Sequence, residues 1–131
     1  MSNVDTLKQG YEAFGRGDLD GATENFAEDI RWENPEAPQF PNSGVTQGKD
    51  AVKGLFAELG NYWESFSITP DEFHESGDTI VVLSHSESKG KETGKDVKLP
   101  WVHVWRFSDG KATEVQALTD TALAADALGA I

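Results

Sequence analysis

Three stretches in the second half of the chain, Thr79–Ser88, Val97–Phe107 and Ala112–Thr119, alternate inward and outward residues with a period of two. That period belongs to β-strands with one face against a core, and polar, Gly-containing connections make successive strands antiparallel. In the second stretch Trp101, His103, Trp105 and Phe107 fall on one face, so the sheet has a broad aromatic side. Ser76-Gly77-Asp78 reads as a turn before the first stretch, and Lys89–Lys95 as a polar hairpin tip after it. Ser108-Asp109-Gly110 is expected to be a three-residue loop with Gly110 in the left-handed region. That register puts Val115, Ala117 and Thr119 on the face of His103 and leaves Glu114 and Gln116 outward. Pro100 has no amide hydrogen, so it is expected at a bulge or an unpaired position. Phe66 and Ile68, alternating with Ser65 and Ser67, begin a further strand.

The first half has the helical period. Val4, Leu7, Tyr11 and Phe14 mark a helix over 4–15, ended by Gly15-Arg16-Gly17. Asp18 is the expected N-cap of a short second helix burying Leu19, Ala22 and Phe26. Val52, Leu55, Phe56, Leu59 and Trp63 mark a third helix, from Lys49 to Trp63. Asp29–Asn34 reads as a strand with Ile30, Trp32 and Asn34 on one side. Pro35–Gly44 holds three of the five prolines and reads as a loop. Thr121–Leu128 is a final short helix. Helices followed by a run of strands give an α+β fold. The expected architecture is a curved mixed or antiparallel sheet, covered on its concave face by three helices, enclosing a conical cavity. With 131 residues, 1–131 forms one domain.

The charge balance narrows the partners. Lys and Arg number 11 against 23 Asp and Glu, a formal charge of −12, which repels phosphate backbones and anionic lipid, so neither nucleic acid nor membrane is expected. The absence of cysteine excludes disulfides, thiolate metal sites and a Cys nucleophile, and accords with a cytoplasmic location. Met1–Gly10 contains no apolar signal core. His85 and Glu87 share a strand face without a metal-ligand motif, and read as a solvated or partner-facing surface; no metal and no cofactor are expected. His74 beside Glu75 reads as strand end and turn.

Several short landmarks occur in a fixed order: Gly17-Asp18-Leu19-Asp20-Gly21, Phe26-Ala27-Glu28-Asp29, Trp32-Glu33-Asn34-Pro35 and Gly48-Lys49-Asp50-Ala51-Val52. They continue with Pro100 to Phe107, Asp109-Gly110-Lys111 and Leu118-Thr119-Asp120-Thr121-Ala122. In this order they resemble the SnoaL-like, ketosteroid-isomerase-like branch of the NTF2-like superfamily over nearly the whole chain. The resemblance implies the cone fold, a homodimer, and a small-molecule cavity that hosts isomerases, dehydratases, epoxide hydrolases, polyketide cyclases or non-catalytic binders. The steroid isomerases' carboxylate base corresponds to Asn34, which cannot take a proton. Their phenolic donor falls at Gly10, with Tyr11 one step off that face. Their protonated aspartic acid falls at His103. Steroid isomerisation by that mechanism is therefore not expected. Asp120 resembles the catalytic Asp of the superfamily's epoxide hydrolases and cyclases, although their Arg-x-Asp partner has no counterpart here.

Each candidate carries two readings. His103 is either a core histidine tied to a backbone carbonyl or a neutral cavity group that handles a proton. Asp120 is a helix N-cap, a cavity acid or base, or both. Trp32, Tyr62, Phe66, Trp101 and Trp105 are core, ligand wall, or both at once. Asn34 is a strand end or a group that bonds a ligand. The leading expectation is a cavity for a small hydrophobic, carbonyl-type ligand with cofactor-free isomerase, cyclase or hydratase/hydrolase chemistry through His103 and Asp120. The alternative is a non-catalytic binding or structural dimerisation domain. Val102, Val104 and Leu118 point outward from the sheet, and imply a homodimer through that face.

Overall fold

The computed structural model describes residues 2–37 and 42–130. Ser2 opens the first helix by accepting a hydrogen bond from Asp5 N at 3.1 Å, and α1 runs Asn3–Gly15. Asp18 caps α2 (Leu19–Thr23) through Gly21 N at 2.9 Å, as its sequence context predicts. Then come β1 (Phe26–Asn34), β2 (Gly44–Gln47), α3 (Lys49–Ala57) with a 3-10 turn over Glu58–Asn61, and β3 (Trp63–Ser76). The chain continues through β4 (Thr79–Gly90), β5 (Asp96–Ser108), β6 (Lys111–Thr119) and α4 (Thr121–Leu128). The six strands form one sheet in the order β2-β1-β6-β5-β4-β3. The β1–β6 pair is parallel and the rest are antiparallel, so the α+β fold is a mixed curved sheet with helices over its concave side. No helix among the described residues is long and apolar enough to cross a membrane.

The strands start and stop at places the residue pattern misplaces. Phe26 is the first residue of β1 and pairs with Ala112, because the parallel contact with β6 outweighs the continuation of α2. Trp63 likewise leaves the helical run. It pairs with Gly90 in β3, after Lys91 N has bonded Tyr62 O at 2.9 Å. The expected Pro35–Gly44 loop ends in a short edge strand, β2, paired through Asn34 and Gly44, while residues 38–41 lie outside the described residues.

The β5–β6 hairpin sets the face of the sheet that matters. Its turn has two residues rather than three: Ser108 pairs with Lys111, and both Asp109 (φ 51°) and Gly110 (φ 76°) are left-handed, as a type I′ turn requires. A two-residue turn pairs Phe107 with Ala112. Carried on unchanged, that register would bring Glu114 and Gln116 to the cavity side. A bulge at Thr113 inserts one residue and restores the phase, so that Trp105 pairs with Val115 and His103 with Ala117. Pro100 stays in continuous register with His85 on β4. Its carbonyl accepts Thr119 Oγ1 at 2.7 Å on the β6 side, just beyond the last β5–β6 pair, where the ladder needs no amide from it.

Two clusters fill the concave side. The larger joins Leu7 of α1, Val52 and Leu55 of α3, and Ile30, Trp32, Val82, Trp105 and Val115 of the sheet. The smaller packs Ala124 and Ala127 of α4 against Trp63 and Leu99, and Trp101 touches both. α4 thus adds a fourth helix to the three expected over the sheet.

Candidate functional site

A cavity of about 140 Å³ lies between the inner sheet face and the helices, lined by all four tryptophans together with Phe14, Phe26, Phe56 and Phe66. A void of roughly this size walled by apolar side chains accommodates one benzene-sized ring. Its rings meet mostly edge to face, as with Trp32 and Phe56 (centroids 5.1 Å apart, 82°) and Phe14 and Phe56 (5.5 Å, 82°). The indole N–H groups of three tryptophans are already bonded: Trp32 Nε1 to Asn34 Oδ1 (2.9 Å), Trp101 Nε1 to Ser86 Oγ (2.8 Å) and Trp105 Nε1 to Tyr11 Oη (3.1 Å).

His103 lies 5% exposed in this wall, on the central strand β5. Its Nδ1 is 2.7 Å from Tyr11 Oη. The phenol oxygen also accepts Trp105 Nε1, and its own proton has no other acceptor among the described residues. If the imidazole donated from Nδ1, that buried phenol proton would be left unpaired, at a cost of order 1–3 kcal/mol. The phenol therefore donates to Nδ1, which fixes the tautomer with hydrogen on Nε2. Among the described residues Nε2 has no protein partner, and it is not sealed from the cavity. Burial pushes the His103 pKa down to about 4, so the ring is neutral at pH 7. Burial also pushes the Tyr11 phenol up, with the hydrogen bond from Trp105 acting the other way.

Trp32, Asn34, Tyr62, Phe66, Trp101 and Trp105 all line the cavity with His103. Asn34 is held at both ends of its amide, accepting from Trp32 Nε1 and donating to Asn42 O at 3.1 Å. Asp120 is elsewhere. Its carboxylate accepts from Leu123 N at 3.1 Å as the exposed N-cap of α4, and it does not line the cavity. Thr119 is the last residue of β6, so strand alternation sends Asp120 outward and the new helix holds it there. Of the two readings of Asp120, the helix cap holds and the cavity acid or base does not, and the side chain that meets His103 is Tyr11. His85 bonds Asp71 (2.7 Å) and His74 lies 3.3 Å from Glu72, both outside the cavity. No cluster of metal-ligating groups occurs among the described residues.

The SnoaL-like domain family matches residues 7–115. An NTF2-like protein of unknown function from Burkholderia pseudomallei K96243 is 35% identical, with a TM-score of 0.91 and 98% of each chain covered. The chain belongs to the SnoaL-like family. TerC, co-crystallised with polyporic acid, is 26% identical to this SnoaL-like domain with a TM-score of 0.89, over 97% of this chain and 98% of that one. An NTF2-like protein from Burkholderia thailandensis E264 is 28% identical with a TM-score of 0.88, over 98% of both chains. No protein of curated function matches the sequence.

Tyr11 is the candidate site residue that counting from landmarks misses. The count from Gly17-Asp18 puts the phenol position at Gly10, but Tyr11 shares the helical stripe of Leu7 and Phe14 and reaches His103. The apolar periodicity of α1 already carried that signal.

Proposed function

We propose that this SnoaL-like domain binds a small, ring-bearing carbonyl compound, and that His103 Nε2–H donates to its carbonyl oxygen. The observation that carries the reading is the Tyr11–His103 hydrogen bond: it leaves the imidazole a fixed, neutral donor with no protein partner for Nε2 among the described residues, in an aromatic cavity. A neutral imidazole positioned this way polarises a carbonyl without spending a proton. Trp32, Phe66, Trp101 and Trp105 form the walls for the ring, and Tyr62 and Asn34 add polar edges. TerC, 26% identical, is co-crystallised with polyporic acid, which supports a small organic ligand. Where the bound compound has an acidic C–H beside its carbonyl, the same hydrogen bond stabilises the enolate. The chemistry is then cofactor-free isomerisation or cyclisation, with solvent taking the proton; one such donor contributes on the order of 10²–10³ in rate.

A second reading, binding without turnover, is favoured by one observation: the position expected for a base is the amide Asn34, and Asp120 caps a helix outside the cavity. Exchange of the α-protons of acetophenone into D₂O separates the two. Faster exchange with the protein, lost in His103→Leu, supports catalysis. Binding seen by thermal shift with exchange at the solvent rate selects the binder. Val102, Val104 and Leu118 on the outer face, the last 46% exposed, support a twofold homodimer.

A further inference from the structure

Resting on that reading, we propose that the cavity selects for the charge of its ligand: it takes uncharged carbonyl compounds (ketones, aldehydes, amides, quinones) and rejects carboxylates of the same shape. No lysine or arginine lines the cavity among the described residues, and the one charged lining residue is the carboxylate Glu24. The lysines on the surrounding helices are engaged elsewhere. On α1, Lys8 Nζ lies 5.4 Å from the Phe73 ring centroid. On α3, Lys49 bonds Glu24 O at 3.3 Å and Lys53 pairs with Asp20. The arginines on the sheet, Arg31 and Arg106, are tied to Glu114 by pairing at 3.6 and 3.8 Å, and the strand alternation puts them on the outer face. The N-terminus of α4 is satisfied by Asp120.

His103 does not supply a counter-charge either, being neutral at pH 7. A carboxylate entering this site loses its hydration and gains one neutral hydrogen bond among aromatic faces, within a molecule of formal charge −12. An uncharged carbonyl loses far less and makes the same bond. The polar groups therefore discriminate by what they lack, a cation, as much as by what they offer.

Benzamide and benzoate test this, because they share size and planarity and differ by one charge. The intact protein at pH 7 is titrated with each, following the His103 ring nitrogens by ¹⁵N NMR and affinity by calorimetry. The expected result is a shift of the His103 Nε2 resonance with benzamide and at least tenfold weaker binding of benzoate. Benzoate binding as tightly as benzamide, with the same His103 shift, overturns the charge selection and leaves the carbonyl site standing. If neither probe moves the His103 resonances, the carbonyl site itself falls, and the selection with it.

Discussion

At the scale of single residues, the Trp105–Tyr11–His103 chain does the most to define the site, and it makes two measurable demands. Tyr11→Phe removes the shared phenol, leaving Trp105 Nε1 and His103 Nδ1 without partners. The expected cost is about 1–3 kcal/mol in urea unfolding, and ¹⁵N NMR should show the His103 tautomers mixing. The second demand concerns pH. The folded His103 titrates near 4 against an ordinary 6.5, so between those values the unfolded chain binds the extra proton. Stability is therefore lost as pH falls from 6.5 towards 4, by on the order of 3 kcal/mol. Urea melts from pH 7 to 4 should show that slope, and His103→Leu should flatten it. His103 itself was legible in the sequence as a lone imidazole on an aromatic strand face. Its partner was legible in the helical stripe of Leu7, Tyr11 and Phe14 but not in the landmark count, where a one-residue error rotates a helical side chain by about 100°.

Among the elements, the β5–β6 hairpin and the start of α4 decide which polar groups reach the cavity. Alternation correctly put Val115 and Ala117 on the side of His103, but neither the two-residue turn nor the bulge at Thr113 was legible. Each shifts the register by one, and the two shifts cancel in the face that results. Deleting Thr113 removes the bulge and leaves a regular ladder in which Ala112 still faces Phe107 and Glu114 still faces Arg106, so Val115 and Ala117 stay inward. The expected outcome is that cooperative thermal unfolding and the near-ultraviolet aromatic circular dichroism signal both persist; their loss would show that the inner face had been inverted. Asp120→Ala removes a cap and no cavity contact. It should cost about 1 kcal/mol in stability while leaving affinity for acetophenone unchanged; a weakened affinity would return Asp120 to the site. Phe26 and Trp63 misread as helical for one reason: bulky apolar residues satisfy both periods, and pairing with a distant strand settles the choice.

Across the whole molecule, the order of elements and the family landmarks made the cone legible, because helices preceding a run of antiparallel strands have few ways to cover one sheet face. Cavity size was not legible, since it depends on how four tryptophans and their neighbours tilt against each other. The two faces of the sheet differ in kind. The inner one holds the aromatic cavity, and the outer one shows Val102, Val104 and Leu118 beside the Arg31–Glu114–Arg106 ion pairs. Leu118→Glu puts a charge in that outer patch, opposite Val102. On the proposed homodimer, the expected outcome by analytical ultracentrifugation is a dimer for the parent protein and a monomer for the variant, with the His103 NMR signals unmoved.

The chain has four tryptophans, and every one of them borders the cavity. The protein's ultraviolet emission therefore originates almost wholly from the cavity walls, with three of the indole nitrogens held in place by internal bonds. An arriving guest would quench or shift that light directly, so the native molecule is its own unlabelled optical sensor for whatever compound it receives.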